Sequence, residues 1–146
     1  MADEPSRIEK AYHEAGHGVI GVVSGLPVTR CSISPEPLCE LDENYVADSI
    51  EEKDRFSRFL LAGMTAQFRF HRVGSRPWHC GADDEQVDAL GIQQRLEWLR
   101  EDVVDMVEQH AESIRRVAQE LLRVDELSGE QIQQIIGHPR SIGAGV

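Results

Sequence analysis

The sequence has no run approaching the ~18 consecutive apolar residues that a transmembrane helix needs, so no membrane segment is expected. Its opening stretch, MADEPSRIEKAYHE, is polar and partly acidic and does not read as a secretory leader. Cysteine is scarce. Cys31, Cys39 and Cys80 form an odd, widely spaced set that matches neither a disulfide framework nor a four-cysteine zinc site, and a reducing cytoplasm is the compartment expected. Positive charge is also in deficit, with 15 Lys and Arg against 26 Asp and Glu and a formal net charge of −11. A chain so acidic repels phosphate, which argues against nucleic acid as a partner. No Gly-x-x-x-x-Gly-Lys run is present, so the chain carries no phosphate-cradling loop of the Walker type. Internal repeats and low-complexity segments are absent as well.

What is present is ordinary globular composition, 40% hydrophobic and 28% charged over 146 residues. That supports a single domain over residues 1–146, with 137–146 as a frayed tail. A first helix is expected over 7–24. Ser6 and Glu9 have capping-box spacing, Ile8, Ala11, Ala15, Val19 and Val22 recur at helical intervals, and Gly25 and Pro27 end the run. Residues 28–34 alternate as a strand, and 44–50 are expected to pair with them, the intervening PEPLCELDE forming a loop. A second helix is expected over 51–71, its apolar stripe made by Ile50, Phe56, Leu60, Met64 and Phe68. Gly74 and Pro77 mark a loop, after which Asp83 and Gln86 have capping-box spacing. Helical periodicity then continues to residue 124, with Gly91 and His110 as candidate bends, and a short last helix follows Ser128. The fold class is α+β, mostly helical, with one small sheet or hairpin.

Chemistry enters at residues 13–17, His-Glu-Ala-Gly-His. On a helix, positions i and i+4 share a face, so His13 and His17 can both ligate one Zn²⁺. Glu14 stands beside them, placed to act as general base on a metal-activated water in peptide hydrolysis. The alternative is a surface helix with two solvated histidines. The placement of the motif beside an apolar stripe disfavours that, since unpartnered imidazoles fit poorly there. Gly16 and Gly18 cost roughly 1 kcal/mol each in helix propensity, which points to close approach of another backbone or a substrate.

The stretch Tyr12-His13-Glu14-Ala15-Gly16-His17 resembles the zinc helix of the FtsH family of ATP-dependent metallopeptidases. Residues 61–67, Leu-Ala-Gly-Met-Thr-Ala-Gln, resemble the family's Leu-x-Gly-x-x-Ala-Glu helix, and 127–130, Leu-Ser-Gly-Glu, its closing segment. Residues 81–87, Gly-Ala-Asp-Asp-Glu-Gln-Val, resemble the stretch that supplies the family's third zinc ligand, an aspartate. The resemblance implies a zincin-like metallopeptidase domain acting on peptides or unfolded protein, with Zn²⁺ held by His13, His17 and Asp83, or Asp84 as the alternative. Asp83 shares a helical face with Val87 and Leu90, whereas Asp84 shares one with Asp88 and Gly91. Asp83 is also the better helix N-cap, a role its second oxygen leaves compatible with ligation. The chain departs from the family in lacking the ATPase module and membrane helices, which leaves a separate ATPase or homo-oligomer as the expected partner. It also carries Gln67 where the family has glutamate.

Other groups read as structural. His71, His79 and Cys80 are chemically able ligands, but loop polarity accounts for them. Trp78 reads as a loop anchor or a groove wall, Cys31 as a small core residue. The acidic run 40–43 lacks the alternating oxygen spacing of a calcium loop. Three functions are therefore in competition. They are a zinc peptidase, a catalytically silent metal-binding or protein-interaction domain of the same fold, and a helical module without metal.

Overall fold

The computed structural model describes residues 6–71, 85–87, 89–91 and 93–137. The first helix, α1 (Arg7–Val23), starts at Ser6, whose hydroxyl accepts from the Glu9 amide while Glu9 Oε1 accepts from the Ser6 amide. It ends at Gly25, where φ is +83° and the Leu26 amide reaches back to the Gly21 carbonyl, a Schellman closure. Strands β1 (Val28–Ser32) and β2 (Leu38–Leu41) form an antiparallel pair. Next comes α2 (Ile50–Phe70), capped by Ser49. Residues 85–87 and 89 are helical, and a left-handed Gly91 and a 3₁₀ turn at Gln93–Arg95 lead into α3 (Leu96–Gln109). His110 interrupts the helix before α4 (Ala111–Val124). Strand β3 (Glu126–Ser128) and α5 (Gly129–Gly137) close the described chain. Both candidate bends, Gly91 and His110, are breaks.

The fold is mostly helical α+β with one three-stranded antiparallel sheet, ordered β2-β1-β3. Two sequence expectations need correction. The partner of β1 is not 44–50 but 38–41, inside the stretch expected to be loop. Pro35 and Pro37 confine the turn to the residues just after β1, leaving Leu38, Cys39 and Leu41 able to pair. Residues 42–49 are irregular instead. The Asp42 side chain accepts from the Asn44 amide and its carbonyl from the Tyr45 amide, while the Tyr45 hydroxyl donates to Glu52 at 2.7 Å. Strand β3 had no sequence signal, being three residues long and joined to a helix on each side.

The second correction concerns α2. Ile50 is 63% exposed, and the face of α2 that packs inward is centred on small residues, Ala62, Gly63 and Ala66. The reason is the closeness of α1. A methyl group on Gly16 would lie 2.5 Å from the Ala62 carbonyl oxygen and 2.6 Å from the Ala66 Cβ. Large side chains cannot occupy such a contact, so they flank it. Helix α1 is buried almost all round from His13 to Gly21, because α2, α4, β1 and α5 all pack on it. From α3 the core receives Leu99, Val103 and Val107, and from α4 Ile114, Val117, Ala118 and Leu121. No helix among the described residues is long and apolar enough to cross a membrane.

At the start of α5, Ser128 and Gln131 form a second reciprocal cap, and a methyl on Gly129 would lie 1.9 Å from the Val28 carbonyl oxygen. Gly137, by contrast, has nothing within 4 Å of such a methyl. Gly129→Ala is therefore expected to destabilise the protein by about 1–3 kcal/mol or more through overpacking. Gly137→Ala should be neutral or stabilising by up to about 1 kcal/mol. Denaturant midpoints of the two variants check this, and equal midpoints would contradict the packing described for Gly129.

Candidate metal centre

His13, Glu14 and His17 sit mid-way along α1, where the helix is most enclosed, and all three side chains are nearly buried. Burial of two imidazoles demands hydrogen-bond partners. The Nδ1 of His17 lies 2.7 Å from the Phe59 carbonyl oxygen. A carbonyl can only accept, so this nitrogen carries the proton. The Nδ1 of His13 lies 2.9 Å from Oε1 of Gln67, which accepts in the same sense. Each ring thus bears a hydrogen on Nδ1, which in a neutral imidazole places the lone pair on Nε2, the tautomer a metal-ligating histidine needs.

The two Nε2 atoms converge. A methyl on Gly63 would sit 2.4 Å from Nε2 of His17 and 2.6 Å from Nε2 of His13. Both ring nitrogens therefore pack against the Gly63 backbone, where no side chain fits. Two imidazole nitrogens brought together on one face are a donor set that suits zinc, whose bonds to nitrogen measure about 2.0–2.1 Å. The rings meet edge-on, with centroids 4.7 Å apart and planes at 76°.

These residues open on a cleft of about 480 Å³. Its floor is α1, contributing Glu9, His13, Glu14 and His17, and its walls include Leu38, Cys39 and Leu41 of β2, Tyr45, Phe56 and Phe59. Among the described residues three carboxylates, of Glu9, Glu14 and Asp42, line it against one lysine, Lys10, an excess that favours a cation. The Tyr45 phenol is held well above its usual range by burial and by its hydrogen bond to Glu52, so it stays neutral. Gln67 is 2% exposed, and its Nε2 has no acceptor among the described residues.

The structure therefore brings together His13, Glu14, His17 and Gln67. Asp83 and Asp84, expected as the third ligand and its alternative, lie outside the described residues, as do Trp78, His79 and Cys80. Among the described residues no group of three or more potential ligands forms. Among the described residues that follow, Val87 is buried, Leu90 is partly buried and Gln86 lines the cleft. His71 caps α2 through its backbone, donating to the Gln67 carbonyl. Of the residues the sequence reading missed, the Phe59 carbonyl leaves no signal, being backbone. Gly63 could have been found, since a glycine inside a good helix implies something pressing against it. No protein-family model matches the chain, and no curated protein matches it.

Two outcomes test the site. Gly63→Ala is expected to abolish zinc uptake with the far-UV circular dichroism unchanged, because the new methyl would meet both Nε2 atoms well inside contact distance and displace the two rings. Gln67→Leu should weaken zinc binding about 10–100-fold, while Gln67→Glu, which can still accept from His13, restores it. Chelator competition measures both, and unaltered affinity in Gly63→Ala would show that the metal, where bound, sits elsewhere.

Proposed function

We propose that the chain is a zinc-dependent peptidase of FtsH-like, zincin-like type. The observation that carries this reading is the pair of buried histidines, each with Nδ1 committed to an acceptor and Nε2 packed against Gly63, lining one cleft together with Glu14. The family resemblance of residues 12–17, 61–67, 81–87 and 127–130 supports it further. His13, His17 and Asp83, with Asp84 as the alternative, would hold the ion. Zinc, when bound, supplies Lewis-acid chemistry, polarising a peptide carbonyl and acidifying water.

The chain's own residues supply the rest. Glu14 lines the cleft and is nearly buried, so its carboxylate can take a proton from the attacking water and return it to the departing amine. Strand β2 is the edge of the sheet and a wall of the cleft, a position from which a strand can pair with an extended peptide. Phe56, Phe59 and Leu60 give apolar surface for a side chain of that peptide. The substrate in this reading is a peptide or an already unfolded segment, with a separate ATPase or a homo-oligomer as the partner.

A second reading, a catalytically silent metal-binding or protein-interaction domain, draws on Gln67. The oxygen that accepts from His13 Nδ1 belongs to a neutral amide, a weaker support for a ligating imidazole than a carboxylate. The two readings part at Glu14. Under the peptidase reading, Glu14→Gln keeps zinc and fold but lowers peptide-library cleavage by about 10²–10⁴-fold, the usual worth of a general base. Wild-type protein that binds zinc and cleaves nothing in the library would favour the silent domain. For the third ligand, Asp83→Ala should lose zinc affinity while Asp84→Ala keeps it, and the reverse pattern would assign the alternative.

A further inference from the structure

Cys31 and Cys39 stand directly opposite each other in the β1–β2 pair. Antiparallel partners have Cα atoms about 4.5 or 5.5 Å apart, depending on the kind of pair. Both values fall within the ~4.4–6.8 Å that a disulfide spans. The two sulfurs also lie on one side of the sheet. From the point where a methyl on Gly18 would stand, the Cys31 Sγ is 2.8 Å away and the Cys39 Sγ 4.0 Å. Both residues are thiols in this structure.

Their surroundings differ in a useful way. Cys39 is half-buried in the cleft wall, open to a small solute entering there. Cys31 is fully buried, and its thiol donates to the Glu14 carbonyl oxygen at 3.4 Å. One sulfur is thus placed to meet an oxidant, the other to resolve the product.

We propose that Cys31 and Cys39 are an oxidation site, a dithiol that hydrogen peroxide converts reversibly to a cross-strand disulfide beside the cleft. In the first step the Cys39 thiolate attacks one peroxide oxygen, forming the sulfenic acid and releasing hydroxide. In the second the Cys31 sulfur displaces that oxygen as water, and the sulfur–sulfur bond forms. Two thiols are oxidised and one peroxide is reduced to two waters. The bond takes the Cys31 hydrogen away from the Glu14 carbonyl and ties β2, a cleft wall, to the strand lying against α1. The site rests on the sheet register and on the placement of the two sulfurs, and stands whether or not the cleft hydrolyses peptides.

The test uses the whole chain, treated with hydrogen peroxide in native buffer and quenched with iodoacetamide under denaturing conditions. Trypsin cuts after Arg30 and Lys53, so both cysteines fall in one peptide, residues 31–53. The expected result is that this peptide becomes lighter by two hydrogens and takes no alkyl groups, and that dithiothreitol restores both thiols. In Cys39→Ser, Cys31 should remain reduced, since nothing carries oxidation to it. The proposal is overturned if the peptide keeps two alkylatable thiols, gains oxygen without losing hydrogen, or becomes linked to the peptide holding Cys80. Oxidation of Cys31 in Cys39→Ser at the wild-type rate would overturn it too.

Discussion

Helices α1 and α2 meet at a contact too close for side chains, and the rest of the molecule is arranged around that constraint. Gly16 admits the backbone of α2, and Gly63 admits the two imidazoles of α1. Close approach brings the Phe59 carbonyl and the Gln67 amide, both on α2, within hydrogen-bond range of the histidine rings. An unpaired polar group in such an interior costs roughly 1–3 kcal/mol, so buried histidines are tolerable only because α2 supplies those acceptors. The same contact explains why the inner face of α2 is built from Ala62, Gly63 and Ala66 while its larger residues are displaced to the flanks.

Around this pair the remaining elements set access. Among the described residues, helices α4 and α5 and strand β1 cover the far sides of α1, and the cleft opens beside β2 and the residues that follow it. His13, Glu14 and His17 line that cleft, whose wall is of mixed apolar and acidic character. A polar constellation enclosed in this way confines a reactive group to few approaches, and under the proposed function it would keep Glu14 close to a peptide lying along β2. The ion pairs between helices, such as Arg58 with Asp102, lie toward the surface and add modestly.

How much of this could be read from the sequence depended on whether the signal was local. The capping box at Ser6, the stop at Gly25 and the breaks at Gly91 and His110 are all local, because a side chain or a positive φ acts within one turn. The i, i+4 histidines were legible for the same reason. The pairing of β1 was misjudged because two prolines made 35–43 look like a uniform loop, whereas they shape only its first residues. The burial of α1 on almost every side was not legible, since the apolar stripe shows one face and says nothing of how many neighbours will cover the others. Gly63 was visible in a motif, yet its steric role depends on a helix more than forty residues earlier in the chain. The choice between Asp83 and Asp84 rests on helical phase and family resemblance alone.

The account stands or falls on where a zinc ion sits. X-ray absorption at the zinc edge of the loaded protein, followed by a crystal structure with zinc located by anomalous scattering, reads this directly. The prediction is one ion per chain, bound by Nε2 of His13 and of His17 at about 2.0–2.1 Å, with an aspartate oxygen as a further protein ligand and a position left open to water. An ion coordinated by sulfur, or located away from Gly63 with the two histidines unligated, would contradict the account.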